Sequence, residues 1–431
     1  MLKEDYSRLL KTEHSTSFEF VSPMSIRLFL RRSLQIASFG IAAGFAGISQ
    51  ASNHLPQFVG DFERFIAEQV APDVPGAAIA VVADGKVQLI RTYGVRQQGQ
   101  MDPVTEDTVF RLASVSKTFA GTAAALAVQQ QQLSWDTPLK ETLKHVQLHD
   151  PRYAGQITLR DLLSHTTGLI PQAYTNLIEH NVPYERVVGR LKEVQFSCQP
   201  RKCHGYQNVV FSLAGDMIQA RTGKPYEDFV SENLFRPLGM YSASFGMDGL
   251  KSSNNYAMPH VHRRGQWRVT NIRQNYYNLP PAAGVNASIN DMAKWLLAHL
   301  GQRPDVLPTQ SLDQLQAKLV PTRVARSHYG QRPDQVKTWY GLGWRVFDTN
   351  RQQNFVHHGG WVEGFRAEML LNRELGIGMV FLTNAETRLA KDVTFAFVNA
   401  YNDELDRQQS LPVQLITQHN KSKSEKPSNP L

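Results

Sequence analysis

The sequence predicts an α+β fold: an antiparallel sheet built from N- and C-terminal strands and flanked by helices, with a mostly helical second region. Three observations predict it. A hairpin pattern, "VPGAAIAVVADGKVQLIRTYGV" (74–95), stands near the start, with Asp84-Gly85 as its turn between apolar flanks. Strand-like runs return near the end, at "YGLGW" (340–344), 365–371 and 376–383. Helical patterns dominate between them, with no repeat period. The chain has 431 residues, 42% apolar and 19% charged, which is enough for a large core and excludes a disordered chain.

The N-terminus reads as an address. Arg27, Arg31 and Arg32 precede a mostly apolar run from Leu34 to Ile48, and Ser49-Gln50-Ala51 offers the small residues a signal peptidase reads. Residues 1–51 are therefore expected to be a targeting segment, with Met24 as the start and 1–23 as an extension. The competing reading is an uncleaved membrane anchor, though the run is short for a span. The product is accordingly expected to be exported and periplasmic, and to meet a membrane only if that segment stays attached.

The remaining elements follow in order. Residues 59–71 have the apolar spacing of an amphipathic helix, which precedes the hairpin. Residues 114–132 form a helix whose many alanines imply close neighbours. "ITLRDLLSHTTGL" (157–169) reads as a helix with a glycine stop. Residues 209–222 and 226–234 read as two more, separated by Gly223 and Pro225. Asn290 to Leu300 is a short helix, and 391–405 closes the fold. Residues 52–416 would be the folded domain, and the polar stretch 417–431 a disordered tail.

Composition narrows the function. The formal charge is +8, but the leader and the tail carry about half of it, so the body is a weak candidate for nucleic acid. Cys198 and Cys203, five apart, allow either a local disulfide or two free thiols. No set of ligands with metal spacing stands out, and no cofactor is expected. His260 with His262, and His145 with His149, read as loop or surface histidines. Gly-x-Ser-x-Gly and His-Glu-x-x-His are both absent.

One segment carries chemistry. In "FRLASVSKTF" (110–119), Ser114 and Lys117 lie three apart at a helix start, so their side chains share a face. The helix N-terminus favours negative charge developing on the serine oxygen. A lysine partly removed from water gives up its proton more easily and can act as a base. Taken alone, the pair is better read as a helix cap beside a solvated lysine.

The wider set of motifs decides between these. "FRLASVSKTF" resembles the nucleophile segment of the serine β-lactamase and penicillin-binding family, its class C branch especially. The chain also holds Gly205-Tyr206-Gln207-Asn208 and His357-His358-Gly359-Gly360 in the family's order, with "LRDLLSHTTGL", "FRPLGM", "YGLGW" and "GGWVEGF" around them. The resemblance covers roughly residues 58–405 and implies a β-lactamase/transpeptidase-like fold. Of three Tyr-x-Asn tripeptides, only the one at Tyr206 leads into an apolar helical run. Tyr174 and Tyr276 are expected to pack or to bond loops.

The resemblance implies acyl transfer on a small-molecule or peptide substrate, peptidoglycan-derived ones included. Ser114 would be the nucleophile, with Lys117 and Tyr206 sharing the proton. Asn208 would hold the substrate amide and Lys117, and the backbone N–H groups of Ser114 and Gly360 would form the oxyanion hole beside Gly359. One departure matters. His357 falls where classical members carry lysine, with His358 in the next position. That weakens the case for potent β-lactamase activity and opens ester, amide and D-peptide substrates. It also leads to an expectation that a charged His357 assists Tyr206. A non-catalytic binding module on the same fold is the alternative.

Overall fold

The computed structural model describes residues 55–323 and 336–424, with side chains to residue 410. The expected leader and residues 425–431 lie outside the described residues. Thirteen strands are present among those described. They are β1 (Gly76–Ala83), β2 (Lys86–Gly94), β3 (Phe110–Arg111), β4 (Ser244–Phe245), β5 (His260–Arg263), β6 (Gln266–Val269) and β7 (Val285–Ala287), followed by β8 (Val320–Thr322), β9 (Val336–Tyr340), β10 (Arg345–Thr349), β11 (Phe355–Val362), β12 (Phe365–Asn372) and β13 (Ile377–Thr383). Eight form one antiparallel sheet, in the order β2-β1-β13-β12-β11-β10-β9-β8. The first hairpin therefore pairs with the last strand, Ile79 opposite Phe381. Its turn is the expected one, with Asp84 and Gly85 both at positive φ (52° and 70°).

Both faces of the sheet's centre are covered, which explains why β1, β11, β12 and β13 lack polar alternation. On β1, Ala77, Ile79 and Val81 join one apolar cluster and Ala78, Ala80 and Val82 the other. The first cluster is roofed by the first helix (Gln57–Phe65) and the closing helix (Ala390–Ser424), where Phe62 meets Phe397 edge-on at 5.2 Å. The second cluster belongs to the helical region, centred on the helix Ser116–Gln129 and the helix Asn208–Thr222.

Several expectations need correction. The stretch "YGLGW" is not a strand throughout: β9 ends at Tyr340, and Gly341–Trp344 turns the chain back into β10. The turn is pressed onto the central helix, because a Cβ on Gly343 (φ 80°) would lie 2.3 Å from the Lys117 carbonyl oxygen and one on Gly121 2.2 Å from that of Leu342. The helix in 157–169 is only Leu159–Leu163, started by a Thr158/Asp161 capping box and followed by turns at His165 (φ 58°) and Gly168 (φ 82°). The closing helix continues to Ser424, into the stretch expected to be disordered. Polarity does not rule out a helical backbone. Cys198 and Cys203 form a disulfide.

Candidate active site

Ser114 sits on a 3₁₀ turn (Ala113–Val115) just ahead of the central helix, rather than in its first turn. Ala113 holds the left-handed conformation (φ 50°), which is costly for a residue with a Cβ. This places the Ser114 hydroxyl between two groups. The Tyr206 hydroxyl donates to Ser114 Oγ at 3.0 Å, and Lys117 Nζ lies 3.3 Å from the same oxygen.

Lys117 is fully buried. Its Nζ bonds Asn208 Oδ1 at 2.8 Å and the Ala282 carbonyl at 3.0 Å, and stands 4.7 Å from the Tyr206 ring centroid. Burial, with the Arg345 charge adding to it, holds the lysine well below its ordinary pKa. Once neutral, the amine would keep two protons for Asn208 and Ala282 and have its lone pair free for the Ser114 hydroxyl proton. Burial raises the Tyr206 phenol above its ordinary value of 10.0, opposed by Arg345 and by the bond to Ser114. The phenol is thus held as a donor to Ser114.

Tyr206 is held by the preceding loops. Its carbonyl accepts from Gln172 N at 2.9 Å, Gly205 N donates to the His165 carbonyl at 2.8 Å, and its ring lies 4.3 Å from that of His165. The Cys198–Cys203 disulfide closes the loop just before it. That loop packs on Gly168, where a Cβ would come within 2.3 Å of the Cys198 carbonyl. The other two Tyr-x-Asn tyrosines bond other groups: Tyr174 bonds Arg190 and Glu193, and Tyr276 bonds Glu179.

The two histidines of β11 have exchanged the places expected for them. His357 points to the sheet face away from Ser114, where its Nε2 donates to Glu368 Oε2 at 2.8 Å near Phe347. Arg366 donates to the other oxygen of the same carboxylate at 3.0 Å. His358 is the one on the Ser114 side, bonding the Tyr340 hydroxyl at 3.0 Å. Burial, then the charges of Arg345 and Lys117, keep His358 well below its ordinary pKa, so it is neutral. The glycines alternate likewise. A Cβ on Gly359 would meet Glu368, whereas one on Gly360 would lie 2.1 Å from the Leu112 carbonyl, against the turn that carries Ser114. Beyond His357, no described strand pairs with β11 from the β10 side.

The sequence reading missed Arg345. It opens β10, opposite His357 and Tyr340. Its guanidinium carbon lies 5.5 Å from the ring centroids of both Tyr206 and Tyr340. No motif marks it; its only sequence signal is that it follows "YGLGW".

Residues 62–398 match the family model described as Beta-lactamase. The chain belongs to the Beta-lactamase family, within the serine hydrolase superfamily. Among curated relatives it is 28% identical to the unguisins hydrolase ungD' of Aspergillus campestris over 323 residues, 72% of this chain and 58% of that protein. It is 27% identical to penicillin-binding protein 4 of Amycolatopsis lactamdurans, over 69% of this chain and 77% of that protein. Protein flp of Staphylococcus aureus is 26% identical, over 72% and 60%. The chain thus spans less than two thirds of the length of two of these three. The fold matches an octameric penicillin-binding protein homologue from Pyrococcus abyssi, with a TM-score of 0.69 and 22% identity over 80% of this chain and 77% of that one.

Proposed function

We propose that this chain is a serine hydrolase of class C β-lactamase type that forms an acyl-enzyme at Ser114 and cleaves an amide or ester. The observation that carries this reading is the double approach to one hydroxyl, with Tyr206 at 3.0 Å and Lys117 at 3.3 Å. Ser114 Oγ attacks the carbonyl carbon while Lys117 takes its proton. The tetrahedral oxyanion rests on the backbone N–H groups of Ser114 and Gly360. Tyr206 gives its proton to the leaving group, and the C–N or C–O bond breaks. Tyr206 recovers a proton from the Lys117 ammonium. Water then attacks the acyl-enzyme with Tyr206 and Lys117 in reversed roles.

The substrate classes that fit are carboxylic esters, D-amino-acid peptides and β-lactams. The unguisins hydrolase and penicillin-binding protein 4 among the relatives support an acyl-transfer substrate of this range. Export to the periplasm goes with this reading. The basic and apolar leader supports it, as does a disulfide, which persists in oxidising compartments.

The test is labelling with a fluorophosphonate probe and mapping of the modified peptide. Labelling at Ser114 that Lys117→Ala abolishes supports the reading. No labelling, with peptidoglycan peptides bound but not turned over, would establish the binding-module alternative. Turnover of nitrocefin, p-nitrophenyl butyrate and a D-Ala-D-Ala peptide by one preparation ranks the substrates.

A further inference from the structure

Tyr206 needs a nearby positive charge whenever it gives up its proton, since a phenolate in a site shielded from water is costly. The titratable and charged groups facing it come from several elements. They are Lys117 from the central helix, His165 after the helix Leu159–Leu163, His204 two residues upstream, Tyr276, Tyr340 from β9, Arg345 from β10 and His358 from β11. Burial keeps all three histidines neutral near pH 7, with His204 pushed down to about 4. Lys117 is the proton acceptor and changes its own charge during the reaction. Arg345 alone in this set is a constant cation.

Its setting is unusual. The Arg345 guanidinium lies 5.5 Å from the ring centroids of both Tyr206 and Tyr340, its Nε is buried without a hydrogen-bond partner, and no carboxylate among the described residues pairs with it. An arginine used for stability would be paired. This one also stands at the corner where β10 leaves β11, beside the open strand edge.

We propose that Arg345 is a positioning residue for proton transfer, the standing cation that stabilises the Tyr206 phenolate. This deepens the acyl-enzyme reading and rests on it. When Tyr206 donates to the leaving group, the phenolate forms between the Lys117 ammonium and the Arg345 guanidinium. The charge requirement the sequence had placed on His357 is met from the neighbouring strand.

The experiment measures the pH dependence of kcat/KM for wild type, Arg345→Met, Arg345→Gln and Arg345→Lys. Substrates are a neutral p-nitrophenyl ester and a D-Ala-D-Ala peptide, with the fluorophosphonate labelling rate measured alongside. Removing the cation disfavours the deprotonated form of the Tyr206–Lys117 pair. The acidic limb should move to higher pH by about one unit in the Met and Gln variants, for both substrates and for the probe. The lost rate should return at alkaline pH, which a misfolded protein would not show. Arg345→Lys should keep the wild-type limb. An unmoved limb overturns the proposal, and so does a KM defect confined to the carboxylate-bearing peptide, which would make Arg345 a docking group for substrate. Failure of the wild type to label at Ser114 would instead refute the acyl-enzyme reading itself.

Discussion

Lys117 reaches Asn208 more closely than it reaches Ser114, 2.8 Å against 3.3 Å. Asn208 therefore aims the Lys117 side chain, which Asn208 and Ala282 hold beside Ser114. Asn208 Oδ1 accepts more strongly from an ammonium than from an amine. Asn208→Ala should lower the Lys117 pKa further and move the acidic limb of kcat/KM down, opposite to the shift expected for Arg345→Met. The rate should also fall about 10- to 100-fold, the scale of one hydrogen bond to a charged group. A pH–rate series on the purified variant checks both.

His357 and His358 should separate cleanly. His357→Gln removes one of the two side-chain donors to the buried Glu368 carboxylate, so it should destabilise the fold by about 2 kcal/mol or more, read by urea titration. The pH profile of acylation should stay where it was. His358→Gln loosens Tyr340, which packs near Tyr206 (ring centroids 6.4 Å), and should lower the acylation rate.

The disulfide encloses four residues and sits directly ahead of Tyr206. Closing so short a loop limits the unfolded chain by about 2 kcal/mol. Cys198→Ser with Cys203→Ser should lower stability by about that amount in denaturant titration. It should also slow Ser114 labelling, because the loop that carries Tyr206 loses its anchor against Gly168.

Buried histidines should make the fold sensitive to acid. His299 lies between Trp295 and Trp344, and burial pushes it from 6.5 down to about 3. Below pH 6.5 the unfolded chain takes up a proton that the native state refuses. The site's contribution is complete above 6.5 and is lost as pH falls toward 3, by roughly 1.4 kcal/mol per unit. His299→Gln should flatten the fall in Tm between pH 6 and pH 4.

Much of the site could be read in the sequence, because each piece is local. A spacing of three brings Ser114 and Lys117 together even though Ser114 stands just ahead of the helix, and Tyr206 is picked out by the apolar run after it. The histidine pair could not be resolved in the same way. Side chains on a strand change face at every residue, and β11 is buried on both faces, so no polar alternation marks its register. The order is fixed by Phe355 stacking on Phe347 on one face and Val356 joining the helical cluster on the other. Arg345 was invisible for a related reason. Its place beside Tyr206 arises only from strand order, across a separation no local pattern spans. The turn within "YGLGW" likewise depends on contact with the central helix.

Ala113 adopts a backbone twist that an alanine would leave if released, and the close approach of Gly360 and the bonds of Leu112 N and Ser116 Oγ to Val285 hold it there. Warming or mild denaturant that loosens this fit by a fraction of an ångström would let the bend relax and swing the hydroxyl off target, while the sheet and its two apolar layers stay intact. Loss of turnover should thus come before melting, and an inactivation midpoint below the calorimetric one would record the difference.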